Sequence, residues 1–228
     1  LTVLDEGSAR RLRGWGVRNV HLVKPGVDVT KFQHTPPPVN GPDGPIRLLM
    51  ASAPWTLPQF ESKGVDALLA AVQQRPNLHL TLLWRGVLTD EIHRRIAAAD
   101  VQDRVTLHDG LVDVDSVLAT VHAAVVMATT ANIVKAYPHS LLDALAAGKP
   151  VLVSRVIPMS NYVEEHGCGQ VVDAVTPASL LAAMDRLLND YESAVATARA
   201  IGRRDFSEGA MIESYRTVYN QLQTDKAA

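Results

Sequence analysis

From Ile46 to Asp190 the chain repeats one pattern: a short apolar run, a longer amphipathic stretch, then another apolar run. The stretches carry apolar residues at helical spacing, and the runs between them read as strands buried on both faces. The pattern predicts strands over 46–52, 78–84, 105–107, 123–128, 151–154 and 170–172. It predicts helices over 63–74, 89–99, 115–122, 140–147, 161–166 and 177–190. Strands joined through helices run parallel with right-handed crossovers, so the expected class is α/β with a doubly wound parallel sheet. Ahead of this block lie a short helix over 8–15, with Ser8 as its N-cap, and a strand over 19–23. Between them and the block runs HTPPPVNGPDGP (residues 34–45), with Pro or Gly at seven of twelve positions. Neither a helix nor a central strand survives that density, which marks a linker. A last helical stretch runs from Tyr191 to about Gln221. Four segments follow: 1–33, the linker 34–45, the sheet domain 46–190, and a C-terminal helix and tail over 191–228.

Composition narrows the function classes. The formal charge is −2, so no global basic field draws nucleic acid or an anionic membrane. No apolar run reaches the length that spans a bilayer, and no signal-peptide pattern is present. The single Cys168 cannot form an internal disulfide, which fits a reducing, cytoplasmic setting, at most peripheral to a membrane in a full-length protein. The sequence begins at Leu1 without a methionine and reads as a piece of something longer.

A doubly wound sheet binds ligands at the carboxyl ends of its strands. Three expected loops lie there: 51–62, 84–88 and 129–139. The first ends in Lys63-Gly64 at a helix start, where free N–H groups and the helix dipole attract anions. The third ends in Pro138-His139-Ser140, a proline pre-set for a first turn. Each alone is an ordinary helix start. Other chemistries find less support. Asp113-Val114-Asp115 reads as solvated helix-start acids rather than a metal pair. The eight histidines are scattered without metal-ligand spacing, and no Walker loop or nucleophile elbow occurs. Arg10, Arg11 and Arg13 read as a solvated helix face.

Five segments, in order, resemble the C-terminal half of a retaining GT-B glycosyltransferase of the glycogen-synthase-like group. They are VHLVKPGVDVTKF (20–32), KGVDALLAAV (63–72), DRVTLHDGLVDVDSVLA (103–119), SLLDALAAGKPVLVS (140–154) and EEHGCGQVV (164–172). The resemblance implies a Rossmann-like domain that binds a nucleotide-diphosphate sugar without metal or cofactor. It implies that residues 1–33 are the remnant of an N-terminal domain with its hinge. It also implies that Lys63 and backbone N–H groups around His139, Ser140 and Leu141 contact the diphosphate, with Gly64 and Tyr137 nearby. The family's E-x7-E pair would fall on Lys135 and Asp143. An aspartate there can accept the ribose hydroxyl protons, though it is about one C–C bond shorter than glutamate.

Two departures carry chemical weight. Lys135 stands where the family keeps its first acid, and a cation neither accepts from sugar hydroxyls nor offsets an oxocarbenium-like charge. The family's Gly-Arg after the first strand is also missing; this chain reads MASAPW over 50–55. Lys135 or Arg85 would supply the missing cation, or the site has lost part of its transferase function. The acceptor, a sugar, lipid or small molecule, would bind the other half, so the isolated chain is expected to be inactive. Exposed apolar surface on the last helix would be a truncation scar or a homo-oligomer contact. Two rivals stand beside the transferase: a degenerate binding module without turnover, and a sugar-nucleotide epimerase of the same architecture, which fits the 142–153 signature less well.

Overall fold

The computed structural model describes residues 1–33, 44–85 and 87–227. The chain opens with β1 (Thr2–Val3), α1 (Glu6–Gly14) and β2 (His21–Leu22), the two strands pairing in parallel. The cap of α1 is Asp5 rather than Ser8: its carboxylate accepts both the Ser8 N–H (2.8 Å) and the Ser8 hydroxyl (2.7 Å). A carboxylate accepts two donors and favours the positive end of the helix, so it displaces the serine as cap. The expected linker falls mostly on 34–43, outside the described residues.

The main domain runs β3 (Ile46–Met50), α2 (Pro58–Ser62), α3 (Val65–Gln74), β4 (Leu78–Trp84), α4 (Thr89–Ala98), β5 (Val105–Asp109) and α5 (Val114–Thr120). It continues through β6 (Ala123–Val126), α6 (His139–Ala146), β7 (Val151–Ser154), α7 (Met159–His166), β8 (Gly169–Val172) and α8 (Pro177–Asn189). α9 (Tyr191–Asp205) and α10 (Glu208–Ala227) close the chain. Six strands form one parallel sheet in the order β5-β4-β3-β6-β7-β8. The chain starts at β3, walks out to β5, returns beside β3 with β6, and walks out the other way to β8. That reversal is the topological switch point at which such sheets open a crevice.

Every residue of β6 (AAVV) and β7 (VLVS) is buried, as strands covered on both faces require. One face packs Leu48 and Met50 against Leu68 of α3 and Met184 of α8. The other packs Leu49 and Val126 against Leu118 of α5 and Leu141 and Leu145 of α6. α9 touches both: Tyr191 and Ala194 belong to the first core, Ala198 and Ile201 to the second. Glycine at 202 permits this crossing, because a Cβ there would lie 2.2 Å from the carbonyl oxygen of Leu145 on α6.

The expected single C-terminal helix is two. α9 stops at Asp205, and the Ser207 hydroxyl caps α10 by accepting the Ala210 N–H at 3.2 Å. Val27 sits in the break, donating its N–H to the Phe206 carbonyl (2.8 Å) and accepting from the Glu208 N–H (3.2 Å). Beside it Asp205 accepts from Lys24 Nζ (2.8 Å), Tyr162 Oη (2.6 Å) and Arg204 Nη2 (2.5 Å). Burial raises the proton affinity of this carboxylate, but the three donors outweigh it and hold the pKa far below the usual range. Among the described residues no helix is long and apolar enough to cross a membrane.

Candidate functional site

A cleft of about 400 Å³ opens at the carboxyl ends of β3, β4 and β5, against the start of α6. Lys63, Arg85, His139, Ser140 and Asp143 line it. The turn that presents Lys63 is built by its neighbours. α2 begins with a proline in its first turn and ends at Lys63; Gly64 then adopts a left-handed conformation (φ 74°) and starts α3. A side chain at 64 would also meet the Met127 methyl at 2.6 Å, so Gly64 serves the backbone and does not itself line the cleft. Lys63 is only 6% exposed, and its ammonium donates to the Ala53 carbonyl at 3.1 Å. Burial pushes its pKa down.

α6 opens on Pro138 without a side-chain cap. The Leu141 and Leu142 N–H groups both donate to the Pro138 carbonyl, at 3.0 and 3.2 Å. The Leu141 side chain is fully buried in the core. The expected contact at Leu141 is therefore already committed to the helix's own first turn. The N–H groups of His139 and Ser140 make no hydrogen bond with another described residue and mark the positive end of the helix dipole. The far end of α6 closes by a Schellman motif: Lys149 N–H donates to Ala144 O, Gly148 N–H donates to Leu145 O, and Gly148 stands at φ 74°. Lys149 then turns inward, fully buried, and donates to the Val121 carbonyl at 2.9 Å.

Asp143 is half-buried one turn into α6, and its carboxylate makes no hydrogen bond with another described residue. Desolvation raises its pKa, while His139 and Lys31 pull the other way. The ends of β4 and β5 line the cleft with Leu83, Val87, Leu111 and Val112, apolar apart from Arg85 between Leu83 and Val87. Trp55 (71% exposed) and Leu111 (96% exposed) stand at its rim. Sequence reasoning missed both. Pro58, set for a first helical turn, was the available sign that loop 51–62 contains a helix; nothing in residue type marks Leu111. Among the described residues no group of three His, Cys, Asp or Glu side chains is placed to hold a metal ion.

A family model described as Glycosyl transferases group 1 matches residues 58–204, more than half of the chain. The chain belongs to that family. Its fold is the Rossmann-like domain of GT-B glycosyltransferases. Sucrose-phosphate synthase from Thermosynechococcus elongatus superposes with a TM-score of 0.76 at 20% identity, covering 98% of this chain and 58% of that one. Anabaena HepE, solved in complex with UDP and glucose, gives 0.74 at 16%, covering 97% and 62%. WaaG, a glycosyltransferase of lipopolysaccharide biosynthesis, gives 0.69 at 19%, covering 96% and 61%. This chain thus spans about three fifths of each solved structure. No curated protein matches it.

Two further residues that the family resemblance pointed to lie away from the cleft. Tyr137 turns its ring onto Phe206 (centroids 6.0 Å apart) and lines a separate cavity of about 870 Å³ between α1, α7 and α10. An aromatic ring gains more from that packing than from the cleft mouth, and burial raises its hydroxyl pKa. Lys135 is exposed in the loop after a short turn at Ala131–Ile133 and lines neither cavity. A long hydrated cation keeps its head in water where nothing pairs it.

Proposed function

We propose that this chain is the donor-binding domain of a retaining GT-B glycosyltransferase, holding a nucleotide-diphosphate sugar in the cleft at the switch point. The observation that carries the reading is the convergence, in one cleft, of two uncommitted N–H groups at the start of α6, the cations Lys63 and Arg85, and the single carboxylate Asp143. A diphosphate fits the N–H groups and the Lys63 ammonium, and a ribose fits the carboxylate. As the anomeric C–O bond breaks, negative charge grows on the departing diphosphate, and the fixed dipoles at the start of α6 with the Lys63 ammonium stabilise that charge. The complexes of HepE with UDP and glucose support the class of ligand. Hexosyl transfer belongs to the whole protein; the acceptor would bind residues outside this chain, which alone would hold donor without turning it over.

A second reading has its own observation. Lys135 lies outside the cleft, and Asp143 is the one carboxylate among the described lining residues, so nothing there replaces the family's first acid. On this reading the domain binds a nucleotide sugar and does not transfer it. Calorimetric titration with UDP-, GDP- and ADP-sugars tests the donor site: saturable binding by at least one is expected, and none at millimolar concentration sinks it. Assay of a longer protein with a bound donor then separates the two readings by donor consumption.

A further inference from the structure

Resting on the donor reading above, we propose that the donor carries guanine and that Arg85 reads the base. The cleft has two ends of unlike chemistry. Lys63 follows β3 by way of α2, and His139, Ser140 and Asp143 open α6, whereas Leu83, Val87, Leu111 and Val112 stand at the ends of β4 and β5. A nucleoside diphosphate is two-ended in the same sense, with charged phosphates at one end and a flat, weakly hydrated ring at the other. Placing the phosphates at the start of α6 leaves the ring for the apolar end.

Among the described lining residues at the ends of β4 and β5, Arg85 is the charged side chain that offers hydrogen-bond donors to a ligand. It is exposed, lines the cleft, and makes no hydrogen bond or ion pair with another described residue. The neighbouring Trp84 is no rival, because its indole N–H is committed to the Val87 carbonyl at 2.5 Å. A guanidinium is a rigid fork of donors with no acceptor, so two adjacent acceptors in one plane match it best. Guanine offers O6 and N7 side by side. Adenine sets an amino donor beside N7, and uracil sets an N–H between its two carbonyls, so each opposes a donor to a donor. Cytosine presents a pair of acceptors on a single ring and fills less of the apolar end. A solved neighbour at 16% identity carries the fold and leaves the base open.

The test is calorimetric titration of this chain with GDP, UDP, ADP and CDP, in the wild type and in Arg85→Ala and Arg85→Lys. GDP is expected to bind on the order of tenfold tighter than the others, the discrimination one bidentate contact supplies. Arg85→Ala should bring GDP down to the affinity of UDP while UDP stays within about twofold, and Arg85→Lys, a point charge without a fork, should recover little of the loss. Equal affinities in the wild type, or a preference for another base, overturn the assignment. So does Arg85→Ala weakening all four alike, which would place Arg85 on the phosphates. Failure of every nucleotide to bind the wild type removes the donor reading itself, a result distinct from binding without base preference.

Discussion

Asp143 and Asp205 are both partly withdrawn from water, and burial raises the proton affinity of each, yet they end on opposite sides of the ordinary value. Asp205 has three donors within the chain, and they hold it ionised while tying the segment before Val27 to α7 and α9. The Asp143 carboxylate has no hydrogen-bond partner among the described residues, and its pKa stays raised. A polar group satisfied by its own chain secures the fold; one left unsatisfied in a cleft is placed for something that arrives. The cleft and the C-terminal junction are built from the same residue type with opposite completeness.

The contrast is most easily broken at the junction. Asp205→Ala strands three donors and should cost about 2–3 kcal/mol in urea denaturation, with donor affinity unchanged. A loss below about 0.5 kcal/mol would show that the junction secures nothing. Lys149 extends the comparison to a cation: burial pushes its pKa down to about 7, and a single carbonyl is its partner. The unfolded chain binds a proton there that the folded chain releases between pH 7 and the ordinary lysine range. Stability should therefore rise by about 2 kcal/mol from pH 7 to pH 9, and Lys149→Met should flatten that rise. A wild-type profile already flat over this range would refute it.

On the cleft side the effects are smaller and fall on binding. Asp143→Asn should weaken donor binding about tenfold and leave stability within about 0.5 kcal/mol. Only the ionised carboxylate accepts from both hydroxyls, so donor affinity should fall as pH drops through the raised pKa of Asp143, sooner than an ordinary aspartate would dictate; the asparagine variant should lose that dependence. The smallest effect belongs to Lys135→Glu, which should leave donor affinity within about twofold, since Lys135 lies off the cleft. A larger change would return Lys135 to the site.

The regular skeleton was legible because burial on both faces writes itself into local sequence: strands over 78–84 and 151–154 stand where the apolar runs put them. What the sequence hid depends on partners far along the chain. The break between α9 and α10 needs Val27 inserted from the other end, and no pattern in the helix announces it. The residue type at 63 revealed a cation at a helix start, but not that the Ala53 carbonyl already holds it. The resemblance put the backbone N–H of 141 among the diphosphate contacts; whether a first turn bonds to its own proline is a matter of geometry. Tyr137 sits in the loop the motif indicated, and its direction is decided by Phe206.

The crossing of α9 from one core to the other has a consequence for how the domain comes apart. Tyr191 and Ala194 cannot leave the first core without pulling on the helix that seats Ala198 and Ile201 in the second. Neither side of the sheet can open alone without unwinding or uprooting the same rod, so the two halves are obliged to melt as one cooperative unit. A swap of Gly202 for a larger residue would loosen both layers at once, although it touches only one of them.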